Sequence, residues 1–117
     1  MRLREIIDLL GGEIVEGPER AEEIEVETCF AADLMSDVLR YSQPGALLVT
    51  GLVTIQSVHT ADVAELAAVL YVAGKHPEEP VRALARERRI VLFTTRLPMV
   101  EACGLLHDAG LKAAVRN

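Results

Sequence analysis

The sequence predicts an α/β domain, a three-layer α/β/α sandwich around a mostly parallel central sheet of about four to five strands. Three observations point there. Apolar runs at Ala46–Thr50, Ala67–Ala73 and Ile90–Thr94 are separated by stretches of helical length; right-handed crossovers fold that order into one parallel sheet. Half of the residues are hydrophobic but only 3% are aromatic, so the core is built from Leu, Val, Ile and Ala, the mixture of strands buried on both faces. A chain of 117 residues suits one domain over 1–117, burying about two-thirds of its unfolded surface.

The elements follow in order. Leu3, Ile6, Ile7 and Leu10 recur with helical spacing, and Gly11-Gly12 closes that helix. Glu13–Glu16 is a short strand candidate stopped by Gly17-Pro18, and the charged Pro18–Glu23 run is a surface loop. Ile24, Val26, Thr28 and Phe30 alternate with Glu25, Glu27 and Cys29, as in a strand with one wetter face. Asp33 is the expected N-cap of a helix over Leu34–Tyr41, with Leu34, Val38 and Tyr41 inward.

Pro44-Gly45 breaks the chain before the central unit. There, strand Ala46–Thr50 opens into a loop at Gly51, a helix lies between Ile55 and Leu66, and strand Ala67–Ala73 ends at Gly74. A helix over Glu78–Arg88 follows, with Val81, Leu84 and Ala85 as its core stripe, and then the third strand. Thr95 is placed to cap the last helix, whose inward face holds Val100, Cys103 and Leu105 or Leu106 and which ends at Gly110. Leu111–Val115 adds an edge strand.

Composition also excludes partners. The net charge is −6, whereas a binder of phosphate backbones gains affinity from excess Lys and Arg, so no nucleic acid is expected. Scarce aromatic residues remove the stacking platforms of single-strand binders. The apolar runs fall short of the roughly 18 residues of a membrane span, and Glu5 and Asp8 within MRLREIIDLL argue against a secretory signal. A cytoplasmic protein is expected. Cys29 and Cys103 stand far apart with no CxxC pattern, which reads as two free buried thiols in a reducing compartment. The mean hydropathy of +0.25 is high for a short chain and implies apolar surface covered by a second copy, giving a homodimer, or by another protein.

In open α/β sheets ligands bind beyond the C-terminal strand ends, at a topological switch point. The loops at Thr50–Gln56, Gly74–His76 and Thr94–Arg96 are therefore the place to look. Thr50, Gly51, Thr54, Gln56, Gly74, Lys75 and Thr95 are the candidate ligand-binding residues, a set of hydroxyls, glycines and an ammonium suited to a small anion or nucleotide. Gly74-Lys75 is not a P-loop, because Val69 stands where that motif needs its first glycine, and no GxGxxG is present.

His59, His76 and His107 lie on separate segments, so neither a metal site nor a cofactor is expected. His59 reads as an exposed helix residue. Ser36 and Ser57 lack a GxSxG context, and no catalytic residues are assigned. Arg82, Arg86 and Arg89, with Arg88 beside them, form a stripe read as a solvated outer face in which Glu78 supports Arg82.

Taken together, LREIIDLLGGEIVEG, AADLMSDVL, ALLVTG and AAVLYVAGKHPEEPVRALARERRIVLFTT, with the terminal helix, resemble the DRTGG domain over nearly the whole chain. The family's Gly-Asp-Arg is here Gly51-Leu52-Val53, and its Thr-Gly-Gly is Ala73-Gly74-Lys75, so Gly51 and Gly74 carry over, as residues at which the backbone turns. DRTGG domains accompany CBS domains in regulated pyrophosphatases, occur in some phosphotransacetylases, and are similar to the N-terminal domain of HPr kinase/phosphorylase. Stand-alone forms, which accompany iron-only hydrogenase genes, share a segment resembling that around Ser36-Asp37.

The resemblance implies a non-catalytic regulatory or assembly module, often dimeric, perceiving a partner or a small ligand and linked to a hydrogenase or acetyl-phosphate system. The alternative is a small phosphate-handling enzyme or nucleotide-binding sensor that uses the same strand-end loops.

Overall fold

Each apolar run becomes a buried strand because its alternating side chains meet a helical layer on either side. In the computed structural model, which describes residues 1–115, β3 (Leu47–Thr50), β4 (Ala68–Tyr71) and β5 (Val91–Thr94) are buried at every position. Leu47, Val49, Leu70 and Phe93 face a layer made by α1 (Leu3–Leu9) and α5 (Met99–Asp108). Leu48, Val69, Tyr71 and Leu92 face the opposite layer, α2 (Met35–Tyr41), α3 (Ile55–Val63) and α4 (Glu79–Arg88). This is the period of two that the pleat imposes, and each buried Leu or Val contributes about 1.5–3 kcal/mol.

Three further strands complete the sheet: β1 (Glu13–Glu16), β2 (Thr28–Ala31) and β6 (Lys112–Ala113). The order is β1-β5-β4-β3-β2-β6. The strands β2 to β5 run parallel to their neighbours, β6 is parallel to β2, and β1 is antiparallel to β5. The expected architecture holds, with six strands rather than four to five, because both short edge candidates join the sheet.

The connections β2-α2-β3, β3-α3-β4 and β4-α4-β5 all place their helices on one layer. Successive strands therefore sit side by side, and the β3 and β4 loops leave the sheet towards the same face. The expected topological switch point does not lie between these strands.

Other local expectations change for identifiable reasons. Residues 24–27 do not extend β2; they bond to the N-terminus instead, with Leu3 N–H donating to Ile24 O (2.9 Å) and Val26 N–H to Met1 O (2.8 Å). In α2 the buried residues are Met35 and Val38, while Leu34 and Tyr41 are exposed, because the helix starts one residue later than the spacing suggested. In α5 Ala102 and Leu106 are buried, and Val100 and Leu105 are exposed. Pro98 rather than Thr95 takes the N-cap position of α5.

The arginines of α4 engage carboxylates. Arg82 pairs with Glu79 (3.0 Å) rather than Glu78, which lies outside the helix as its extended N-cap. Arg86 pairs with Glu16 (2.8 Å) and Arg88 with Asp62 (3.3 Å). The bond from Arg82 holds the Glu79 carboxyl below its ordinary range, and the bond to Glu16 raises Arg86. Both thiols are free and half-buried, packed on the α1/α5 layer. Burial pushes both of them up, and nearby Cys103 adds to the effect on Cys29.

Candidate functional site

The parallel ladder brings the strand ends into line. Ala31 is opposite Val49, Thr50 opposite Tyr71, and Tyr71 opposite Thr94. The residues just beyond, Asp33, Gly51 and the Ala73–Lys75 turn, consequently stand side by side at one end of the sheet.

Gly51 is held from both sides. Its N–H donates to Asp33 Oδ1 at 2.7 Å, and its carbonyl accepts from Lys75 Nζ at 3.0 Å. Thr50, buried beneath it, donates its hydroxyl to the same carboxylate oxygen (3.1 Å) and accepts from Leu52 N–H (3.1 Å). A carboxylate and an ammonium thus grip the two polar groups of a single residue. A Cβ at Gly51 would stand 3.3 Å from Lys75 Nζ and 3.5 Å from Asp33 Oδ1. Gly51 has no positive φ, so close approach of side chains, and not a backbone turn, is what favours glycine there.

Lys75 reaches this position through a tight turn. Ala73 and Gly74 have φ of 61° and 71°, and Lys75 N–H donates to Val72 O at 3.4 Å, the pattern of a type I′ turn. The turn is tied to the loop after β5, with Ala73 N–H donating to Leu97 O (2.8 Å) and Gly74 N–H to Thr95 O (2.9 Å). Gly74 therefore does serve a left-handed backbone.

Gly51 and Lys75 open on a cleft of about 510 Å³, lined also by Val53, Ile55, His76, Glu78 and Pro80. The first turns of α3 and α4 border it, and helix N-termini favour negative charge. Lys75 is exposed, and its ammonium carries three donors. The cleft accordingly combines a cation, two helix starts and aliphatic walls with one carboxylate, Glu78, at the start of α4, so an anion attached to an apolar body fits on its Lys75 side.

The seven candidate residues separate into groups. Thr50, Gly51 and Lys75 converge on the Asp33 carboxylate. Thr54 caps α3, accepting from Ser57 N–H at 3.4 Å, and Gln56 is exposed on the same helix. Gly74 borders a neighbouring cavity of about 230 Å³ that shares His76 with the first. Thr95 is buried, donating to Leu10 O (2.8 Å) and accepting from Leu97 N–H (3.2 Å).

Asp33 was expected to cap α2; Leu34 takes that position, and the Asp33 side chain turns to Thr50 and Gly51. The sequence carries a signal for it, since Asp33 follows a parallel strand as Gly51 does, and the loop after β2 opens at the same end of the sheet as the loops after β3 and β4. Beneath the site, Ser57 Oγ donates to Thr54 O (2.6 Å) and pairs with Tyr71 Oη (2.7 Å). Burial raises the Tyr71 phenol, and the Ser57 bond partly opposes that shift.

A sequence profile of the DRTGG domain matches residues 5–109. The chain belongs to the DRTGG domain family. No curated protein matches the sequence. Among solved structures, this DRTGG domain is similar to the CBS and DRTGG domains of the regulatory region of Clostridium perfringens pyrophosphatase, complexed with its activator diadenosine tetraphosphate. The two share 16% identity and superpose with a TM-score of 0.73 over 98% of this chain and 50% of the other. That likeness establishes the shared α/β fold, and this chain spans half of the longer one. Among the described residues, no helix is long and apolar enough to cross a membrane.

Proposed function

We propose that this DRTGG domain is a non-catalytic regulatory module whose cleft at the ends of β3 and β4 takes a phosphate-bearing small ligand, an adenine nucleotide being the first candidate. One observation carries the reading: Gly51 is clamped between the Asp33 carboxylate and the Lys75 ammonium at the mouth of the cleft. An anion drawing Lys75 off the Gly51 carbonyl would release one side of that clamp and leave Asp33 holding the other. Occupancy would thereby alter the β3–α3 loop, which is what a regulatory module requires.

The neighbouring regulatory region, crystallised with a dinucleotide activator, supports the choice of ligand class. The paired hydroxyls of Ser57 and Tyr71 are fully buried, which favours binding over nucleophilic chemistry at this end of the sheet. Residues 1–117 act in this reading as one cytoplasmic unit and associate as a homodimer, supported by exposed Leu34 and Val63 on the α2/α3 layer. The systems it would serve are those implied by the family resemblance, a hydrogenase or an acetyl-phosphate pathway.

The test is a thermal-shift panel of diadenosine tetraphosphate, ATP, AMP and acetyl phosphate, since a ligand of the native state raises its apparent stability. At least one is expected to stabilise the protein, and Lys75→Ala to remove the effect. A flat panel, or a response unchanged in Lys75→Ala, overturns the reading. Light scattering on the same sample decides the homodimer.

A further inference from the structure

At the opposite end of the sheet, where β5 begins, three arginines line a third cavity. It measures about 480 Å³, and its lining holds the carboxylates of Glu16 and Glu19 as well as Arg20, Arg86 and Arg89, with Gly17 and Ile90 between them. The three cations are not equivalent. Arg86 is engaged by Glu16 through two bonds (2.8 and 3.2 Å) and approaches Glu79 at 3.6 Å. Arg20 and Arg89 form no ion pair among the described residues. Two guanidinium groups without carboxylate partners therefore line one cavity in a chain whose net charge is −6.

Backbone conformation adds a second, independent observation. Arg89 ends α4 with φ 60° and ψ 42°, the left-handed conformation at which glycine is the usual helix terminator. An arginine there is conformationally strained, as are Glu65 and Ala73, the other non-glycine residues with positive φ among the described residues. Gly17 supplies the other wall. It has φ 78°, and a Cβ added to it would stand 3.2 Å from Val91 Cγ2 and 3.6 Å from Arg20 Nη2, so the absent side chain leaves room beside the Arg20 guanidinium.

Three features oppose an anion there, and one of them, the exposed Glu19 carboxylate on the cavity lining, has no ion-pair partner among the described residues. The last turn of α4 carries the negative end of the helix dipole, but the Ala85 carbonyl already accepts from Ile90 N–H at 2.9 Å. The Glu16 carboxylate is already neutralised by Arg86.

We propose that Arg20 and Arg89 form an oxyanion site for a phosphate or a small carboxylate, separate from the cleft at Lys75. Guanidinium forks match the oxygens of both groups, so the shared chemistry is a compact oxyanion, held by Arg20 from the β1 side and by Arg89 from the end of α4. The site does not depend on the Lys75 reading.

The experiment is a titration of the intact protein with inorganic phosphate and, separately, with malonate, followed by NMR at the arginine Nε–H and backbone signals. Saturable shifts at Arg20 and Arg89 at millimolar anion are expected, with the two probes distinguishing phosphate from carboxylate preference. Arg20→Ala should weaken binding at least tenfold. Arg89→Gly should do the same while raising the urea midpoint, because it removes the left-handed arginine; the loss of binding then cannot be blamed on misfolding. Shifts confined to the Lys75 cleft, no saturable shift at either arginine, or undiminished binding in both variants overturn the proposal.

Discussion

Gly51 and Gly74 occupy matching places, each just past the end of a central parallel strand, yet they are glycine for different reasons. At Gly74 the backbone is left-handed (φ 71°), and a Cβ would meet nothing within 4 Å. At Gly51 the backbone is unremarkable, and a Cβ would crowd the ammonium of Lys75 and the carboxylate of Asp33. One glycine serves the chain's own path, and the other makes room for side chains converging on its peptide groups. The contrast teaches that a glycine retained from a family motif is not by itself a turn residue; what surrounds the missing Cβ decides its role.

Three substitutions test that contrast. The largest effect on stability is expected from Gly74→Val, since a β-branched residue is strongly disfavoured at positive φ; a loss of about 2–3 kcal/mol should appear in urea unfolding. Gly51→Ala should cost less than about 1 kcal/mol, because the crowded atoms are the ends of side chains that can move aside. It should nonetheless abolish the nucleotide-dependent thermal shift, because Lys75 and Asp33 can no longer grip the same residue. Equal stability losses at the two glycines, or an intact ligand response in Gly51→Ala, would erase the distinction.

The smallest effect is reserved for Ala73→Gly. Relief of its left-handed strain, about 1–2 kcal/mol, is offset by the extra freedom glycine gives the unfolded chain, about 0.4–1 kcal/mol. A gain of about 0.5–1 kcal/mol is expected from the shift in the urea midpoint, and a loss would mean that the Ala73 methyl has a packing role that outweighs the strain.

The two ends of the sheet differ in the same instructive way. At the C-terminal end Lys75 is directed onto the Gly51 carbonyl by a type I′ turn, while Asp33 holds the N–H of the same residue. At the other end the arginines come from α4 and from the 3₁₀ turn at Pro18–Arg20, elements that meet only because β1 lies antiparallel against β5. The stripe Arg82, Arg86 and Arg89 reads as uniform along the helix, but the fold gives carboxylates to the first two and leaves the third lining one cavity with Arg20.

Periodicity alone determined the layers. The runs at Ala46–Thr50, Ala67–Ala73 and Ile90–Thr94 are apolar at consecutive positions and too short for buried helices, so β3, β4 and β5 were legible, the first two with a glycine beyond their ends. Lys75 and Gly51 were legible as strand-end residues for the same reason. Tertiary structure decided what stands opposite them. Asp33 reads locally as a helix cap, and its partners Thr50 and Gly51 are 17 and 18 residues away; only the parallel pairing of β2 with β3 brings them together. The same holds for Thr95, whose hydroxyl finds the Leu10 carbonyl 85 residues distant, and for Arg20 and Arg89, which line one cavity. Local sequence sets which backbone conformations are favourable, whereas the partner of a polar side chain is fixed by strand order and register, which no local window contains.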